Sequence, residues 1–187
     1  MAVDLFIDPP TYGFSSLDAY RYFQWEFLPE PIQGLIAREC QYLELQLLLL
    51  ERLHFTEQGK IKEKPYVSKI TNNVRSGVIK ASLLLYASIA EAVLRYIAES
   101  RKYSLPSNER QRTFGRVLES WESHGAVIGE LKDHWDALQE LKDIRNNIHL
   151  FKAAESNSAG IDFLLINESR LLESSGKLIE ALSKLEP

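Results

Sequence analysis

The stretch SLLLYASIAEAVLRYIA at residues 82–98 decides the fold of this chain. Its apolar residues recur every three or four positions, the spacing of a helix that packs against neighbours. Two adjoining sets form this apolar surface: Ala81, Leu85, Ile89, Ala92 and Tyr96, and beside them Leu84, Ala87 and Leu94. So broad a surface predicts a central helix over residues 67–103 that is contacted on several sides.

Helical patterns continue on both sides of this central helix. Ser15 or Ser16 can cap a short helix, and Pro31 suits the first turn of the next one. The further helices are predicted at about residues 16–28, 31–56, 108–123, 127–151 and 164–185. In the helix predicted at residues 127–151, the residues expected to be buried are Ile128, Leu131, Trp135, Leu138, Leu141, Ile144 and Ile148. Only residues 3–7 and 161–166 could form short strands.

The sequence therefore predicts an all-α, single-domain bundle of about five to six helices. The chain has 187 residues, of which 45% are hydrophobic and 26% charged, enough for one sizeable core. Within the single domain 1–187, residues 1–64 are predicted to form an N-terminal arm and a helical extension, and residues 65–187 the core bundle. The basic loop at residues 60–65 is interpreted as a solvated connection, although it could also contact phosphate.

The composition also limits location and partners. A formal net charge of -4 argues against nonspecific nucleic-acid binding through a broad basic surface. Cys40 is the one cysteine, which favours a buried thiol in a reducing compartment, and the N-terminus lacks a secretory pattern. The cytoplasm is the expected location, with no membrane span. No cofactor is expected, and no metal site, because His54, His124 and His134 lack a second ligand at suitable spacing.

The segment LKDIRNNIHLFK at residues 141–152 carries the strongest candidate site. Arg145 and His149 are four positions apart and would share one face of a helix. In metal-independent RNA cleavage, His149 would act as general base or acid, and Arg145 would stabilise charge on the phosphoryl group. Asn146 or Asn147 could orient the phosphate. The alternative is structural, with Arg145 bridging to a carboxylate, Asn147 at a helix end and His149 capping carbonyls.

This segment resembles the Arg-Asn…His signature of HEPN domains, which are small helical bundles. The stretch at residues 82–98 is similar to the early HEPN core helix with its embedded acid, and RTFGRVLES at residues 112–120 resembles a connecting segment in related bacterial proteins. The resemblance covers residues 67–184. It implies a nuclease or nucleic-acid-handling module of a toxin–antitoxin or antiviral system, with an antitoxin protein as a partner. It also implies a homodimer in which two signatures face one cleft.

Two features of the sequence bear on this resemblance. The family signature usually places four to six residues between the arginine and the histidine, whereas only three stand between Arg145 and His149. On a regular helix that difference turns one side chain by roughly 100° relative to the other. The embedded acid, Glu91, would be costly to bury unpaired. Its partner could be Arg95, one turn along the same helix, or Arg145 from a neighbouring helix.

Three functions are consistent with these residues. The first is a metal-independent endoribonuclease that uses Arg145, His149 and Asn146, with Glu91 and Asn147 in support. The second is a noncatalytic HEPN-like module that binds a nucleotide, RNA or a protein partner. The third is a dimeric assembly protein in which Arg145 and His149 only stabilise the bundle. The residue types favour the nuclease, while the short spacing and the acidic charge favour the second function.

Overall fold

The computed structural model describes residues 15–52, 56–61, 64–69, 72–147 and 161–187. A short helix α1 (Leu17–Ala19) continues as a π-helical turn at Tyr20–Gln24, and two 3₁₀ turns lie at Glu109–Gln111 and Lys132–His134. The remaining helices are α2 (Glu30–Arg52), α3 (Asn72–Ser100), α4 (Phe114–Ser123), α5 (Trp135–Asn146), α6 (Ile161–Ile166) and α7 (Glu168–Leu182). Strands β1 (Thr56–Ile61) and β2 (Lys64–Lys69) form an antiparallel hairpin between α2 and α3.

Helix α3 is the centre of the bundle, as the sequence predicts. It contacts α2, α4, α5, α6 and α7. Its fully buried side chains are those of Ile79, Ser82, Leu83, Ile89, Ala90, Val93, Leu94, Ile97 and Ala98. The first of the two predicted apolar sets is less buried than expected, because its members Leu85, Ala92 and Tyr96 are only partly buried at the edge of the core. The helical bundle is confirmed, and the inner side of α3 is rotated relative to the predicted face.

By length and apolarity, residues Val74–Ser100 of α3 could also cross a membrane, with a mean hydropathy of 1.6. Half of the apolar window is buried inside the protein. The helix also carries Glu91 and Arg95, which are costly in lipid. The core helix of a soluble bundle has the same properties, so this finding does not assign a location.

Helix α2 belongs to the same hydrophobic core as the helices that follow the hairpin. Ile36 and Leu43 of α2, together with Trp25 just before this helix, belong to one buried cluster. The same cluster contains Leu83 of α3 and Leu178 of α7. The cap at Ser16 is confirmed, because its Oγ accepts a hydrogen bond from the amide of Ala19 at 3.1 Å. The N-terminal arm up to residue 14 lies outside the described residues.

The hairpin is a departure from the predicted all-helical pattern. The sequence predicts helix through Thr56, a solvated loop at residues 60–65 and helix again from Val67. Instead Thr56 pairs with Lys69, and Ile61 pairs with Lys64. Strand-favouring residues are few here, with Thr56 and Ile61 at the two ends of β1 and Tyr66 and Val67 adjacent in β2, so no alternating apolar pattern marks the segment. The hairpin is formed by backbone pairing, which hydrophobic periodicity does not detect.

Helix α5 is shorter than the predicted helix at 127–151. The chain turns through residues 125–131, where Gly125 adopts a positive φ of 82°, and α5 begins only at Trp135. Ile128 was predicted to be buried but is 84% exposed, because it lies in these turns. Leu131, Trp135, Leu138 and Leu141 are buried as predicted, and Ile144 is half-buried. The helix ends at Asn146, and Ile148 lies outside the described residues.

Two consecutive helices, separated only by Asn167, form the C-terminal part of the bundle. Residues 161–166, a candidate strand, are helical and form α6. The predicted single final helix is interrupted at Asn167, whose side-chain Nδ2 donates to the carbonyl of Phe163 at 2.9 Å. Helix α7 then buries Leu171, Leu178 and Leu182. The other candidate strand, at residues 3–7, lies outside the described residues.

Cys40 provides a single-site probe of the packing of α2. Its side chain is 5% exposed, and burial raises the pKa of the thiol to about 11. Because only the exposed thiolate reacts readily, we expect the native protein at pH 8 to resist alkylation by iodoacetamide, and protein unfolded in urea to be alkylated fully. Mass spectrometry of the intact chain checks this. Equal rates of labelling in the two states would show that α2 does not pack as described.

Candidate functional site

Helix α5 directs Arg145 towards the central helix. Leu138 and Leu141 on α5 are buried, and α5 contacts α3 along this side. Arg145 follows Leu141 by one turn, so its side chain leaves the helix on nearly the same face. Its Nη1 donates a hydrogen bond to Oε2 of Glu91 on α3. Of the two partners predicted for Glu91, the structure shows Arg145.

The ion pair lies at the edge of the interface between α3 and α5. The Glu91 side chain is 18% exposed and that of Arg145 is 37% exposed. Burial lowers the pKa of Arg145 from its ordinary value. The Glu91 carboxylate opposes this effect by favouring the charged form, and arginine remains protonated at neutral pH. A fixed, charged guanidinium therefore faces both a carboxylate and solvent.

Arg95 belongs to a separate charged network one turn further along α3. Its Nε donates to Oε1 of Glu99 at 2.9 Å, and its Nη2 lies 3.9 Å from Oε1 of Glu109. Glu99 also accepts from Nη1 of Arg112 at 2.8 Å. Burial alone would raise the pKa of the Glu99 carboxyl, but these two arginines outweigh it and lower the pKa. Arg95 thus forms its ion pairs with Glu99 and Glu109, and Glu91 forms its ion pair with Arg145.

The two asparagines of the candidate site mark the end of α5. Asn146 is exposed, and Asn147 is half-buried at the C-cap position. The amide of Asn147 donates to the carbonyls of Asp143 at 3.0 Å and Ile144 at 3.2 Å. Helix α5 ends at Asn146, whereas the sequence predicts helix to residue 151. That Arg145 and His149 share one face stays a prediction. His149 itself lies outside the described residues.

The described part of this site can bind an anion at Arg145. A guanidinium has five N–H donors in a planar fork, and one nitrogen of Arg145 is hydrogen-bonded to Glu91. The outer donors of a side chain that is 37% exposed can reach phosphate oxygens. Asn146, the next residue, is also exposed, but on a regular helix its side chain projects about 100° away from that of Arg145. Within the described residues, no group of three or more His, Cys, Asp or Glu could hold a metal ion.

We find no match for this chain among protein-family models, curated proteins or solved structures. The resemblance to HEPN domains therefore remains a prediction from the residues quoted above.

The sequence did not predict a second ion pair of nearly the same kind. Arg75 on α3 donates to Oε2 of Glu168 on α7 at 2.8 Å, and also to the carbonyl of Leu50 at 3.2 Å. The side chains of Arg75 and Glu168 are 36% and 18% exposed, almost the values of Arg145 and Glu91. Nothing in the sequence distinguishes these arginines from others, since their partners are distant along the chain. The pair at Arg75 is a matched reference for the candidate site.

Proposed function

We propose that this protein is a HEPN-like, metal-independent endoribonuclease whose site contains Arg145, Asn146 and His149. The observation that supports this most is the ion pair between Glu91 and Arg145. The two segments that carry the resemblance lie far apart in the sequence, and this pair joins them. It connects the embedded acid of the central helix to the arginine of the signature, and it holds that arginine at a partly exposed edge.

In this proposal each residue has one chemical task. His149, as general base, takes the proton of the ribose 2′-hydroxyl while the 2′-oxygen attacks phosphorus. The bond from phosphorus to the 5′-oxygen breaks, and this leaving oxygen takes up a proton from solvent water. Arg145 stabilises the negative charge on the phosphoryl oxygens, and Asn146 helps to orient them. Glu91 fixes Arg145 in place, and Asn147 ends the helix that carries it.

The assembly expected for such a protein is a homodimer in the cytoplasm. A two-fold arrangement would place two copies of Arg145 at one cleft and double the local positive charge. In a toxin–antitoxin or defence setting, an antitoxin protein would cover this cleft. Sedimentation equilibrium of the purified chain measures whether it is a dimer.

A noncatalytic function in binding RNA or a nucleotide is the second candidate, and one observation favours it. Glu91 compensates the charge of Arg145, which leaves less positive charge to stabilise the transition state of cleavage. The formal net charge of -4 acts in the same direction. A dimeric assembly protein, in which the pair only stabilises the bundle, is the third candidate.

A cleavage assay in the presence of chelator separates these functions. We expect the purified protein to cut single-stranded RNA in excess EDTA and to leave 2′,3′-cyclic phosphate ends, because the proposed chemistry needs no metal. Gel electrophoresis and mass spectrometry of the products measure both. Cleavage that requires a divalent cation would contradict the mechanism. RNA binding without cleavage would support the noncatalytic module, and neither binding nor cleavage would support the assembly protein.

A further inference from the structure

The side of helix α2 that faces away from the core carries exposed apolar side chains. Leu35, Tyr42 and Leu45 are 56%, 57% and 37% exposed. At these positions on a regular helix, the three side chains lie within about 80° of one another. The buried residues Ile36 and Cys40 lie on the other side of the helix. Leu35, Tyr42 and Leu45 thus form one surface, the outer face of α2.

The clustering of these three side chains sets them apart from the other exposed apolar residues of the described chain. The other large hydrophobic side chains that are exposed lie on four different segments, and they are Leu17, Val74, Ile128 and Ile166. Single exposed apolar side chains are ordinary on a protein surface. A row of them along one helix indicates a surface that another segment covers.

Ser15, the first described residue, lies against α2 next to the outer face. Its amide donates to Oε2 of Glu44 at 3.0 Å, and its Oγ donates to Oε1 of Glu44 at 2.6 Å. Nε2 of Gln41 donates to the carbonyl of Ser15 at 2.8 Å. Gln41 and Glu44 directly precede Tyr42 and Leu45 in the sequence. Residues 1–14 therefore join the bundle at the edge of the outer face.

The composition of residues 1–14 complements this face. Their charged side chains are both acidic, Asp4 and Asp8. Arg38 lies on α2 between Leu35 and Tyr42, is exposed, and forms no ion pair with any residue that the structure describes. The apolar side chains of the segment, besides those of alanine, proline and methionine, are Val3, Leu5, Phe6, Ile7, Tyr12 and Phe14. An acidic, apolar segment thus begins beside an apolar face that carries a cation.

The length of the segment is sufficient to cover the face. An extended chain advances about 3.3 Å per residue, so fourteen residues span up to about 45 Å. Leu35 and Leu45 are about 15 Å apart along the helix axis. Phe14 directly precedes the anchored Ser15, which brings it within reach of Tyr42 and Leu45. The acidic side chains lie further along the segment and can reach Arg38.

We propose that residues 1–14 pack across the outer face of α2 in the same chain, with their apolar side chains on Leu35, Tyr42 and Leu45 and their acidic side chains near Arg38. Tethering favours this occupant, because a segment attached beside the face has a high effective concentration there, whereas a second copy must arrive from solution. The outer face is then closed to other partners. The proposal does not depend on RNA cleavage.

The test is hydroxyl-radical footprinting of the full-length chain, read by mass spectrometry. It compares the wild type with the triple variant Phe6→Ser, Ile7→Ser, Phe14→Ser. We expect the labelling of Tyr42 to rise by roughly fivefold in the variant, since labelling follows exposed area and a covered side chain is about 10% exposed against 57% on the open face. Ile128 and Ile166, 84% and 83% exposed, are internal references and should be labelled equally in both proteins.

A charge reversal tests the same contact without changing the apolar residues. Arg38→Glu should also raise the labelling of Tyr42, because the new carboxylate repels the acidic segment. Adding Asp4→Arg and Asp8→Arg to this variant should restore protection. Arg116→Glu, at a 62% exposed side chain on α4, is the matched control and should leave Tyr42 unchanged.

Two outcomes overturn the proposal. The first is equal labelling of Tyr42 in the wild type, the triple variant and Arg38→Glu, with circular dichroism showing that all three are folded. The second is protection of Tyr42 that is lost on dilution while sedimentation velocity shows a dimer dissociating, because a second copy would then be the cover. Protection that is independent of concentration and is lost in the triple variant supports the proposal.

Discussion

The rate of RNA cleavage is expected to fall by about 10²- to 10⁴-fold when His149 is replaced with alanine, the usual contribution of a general acid or base. His149 is the side chain of the proposed site that can exchange protons near neutral pH. Single-turnover cleavage of a labelled RNA in EDTA measures the rate. His134→Ala, a histidine at the start of α5, is the control and should retain the rate. Cleavage by His149→Ala at the wild-type rate would contradict the role of His149.

Trp121→Ala is expected to lower the free energy of unfolding by about 3–5 kcal/mol, the usual cost of removing a large buried aromatic side chain. Trp121 is fully buried between α4 and α3, and its Nε1 donates to the carbonyl of Leu94 at 3.0 Å. Its ring also meets the edge of Tyr103, with centroids 5.4 Å apart, and lies 5.4 Å from the guanidinium carbon of Arg101. Urea unfolding followed by circular dichroism measures the loss.

Trp121→Phe is the matched control for this prediction. It keeps an aromatic ring in the core and removes the indole N–H, so its loss should be clearly smaller than that of Trp121→Ala. A loss below about 1 kcal/mol for Trp121→Ala would contradict the packing of α4 on α3, because surface substitutions have effects of that size.

Hydrophobic periodicity predicted the central helix and most of the bundle, because burial on several sides leaves a repeated pattern in the sequence. It missed the hairpin at Thr56–Ile61 and Lys64–Lys69, since backbone pairing between polar segments leaves no such pattern. It placed the start of α5 too early, because Ile128 fits the helical spacing. Two glycines, Gly125 and Gly129, disfavour helix in this segment.

The candidate site was predicted only in part, for a physical reason. The sequence indicated that Glu91 needs a cation, but Arg95 and Arg145 were equally suitable until the helices were placed in space. In the folded chain Arg95 forms ion pairs with Glu99 and Glu109. The packing of α5 against α3 places Arg145 next to Glu91.

In the proposed mechanism, Glu91 holds Arg145 for action on RNA and not only for stability. The pair between Arg75 and Glu168 allows a direct comparison, since it has nearly the same exposure and also ties α3 to another helix. Among the described residues, Arg75 makes three side-chain hydrogen bonds and Arg145 makes one, so Arg75→Ala should lower the melting temperature at least as much as Arg145→Ala.

The most direct measurement compares the cleavage rates of these two variants in EDTA, below their melting temperatures. We expect the cleavage rate of Arg145→Ala to fall by about 10²- to 10³-fold, because a group that stabilises transition-state charge is lost, and Arg75→Ala to keep the wild-type rate. Equal rates in the two variants, whether both retained or both lost, would contradict the mechanism.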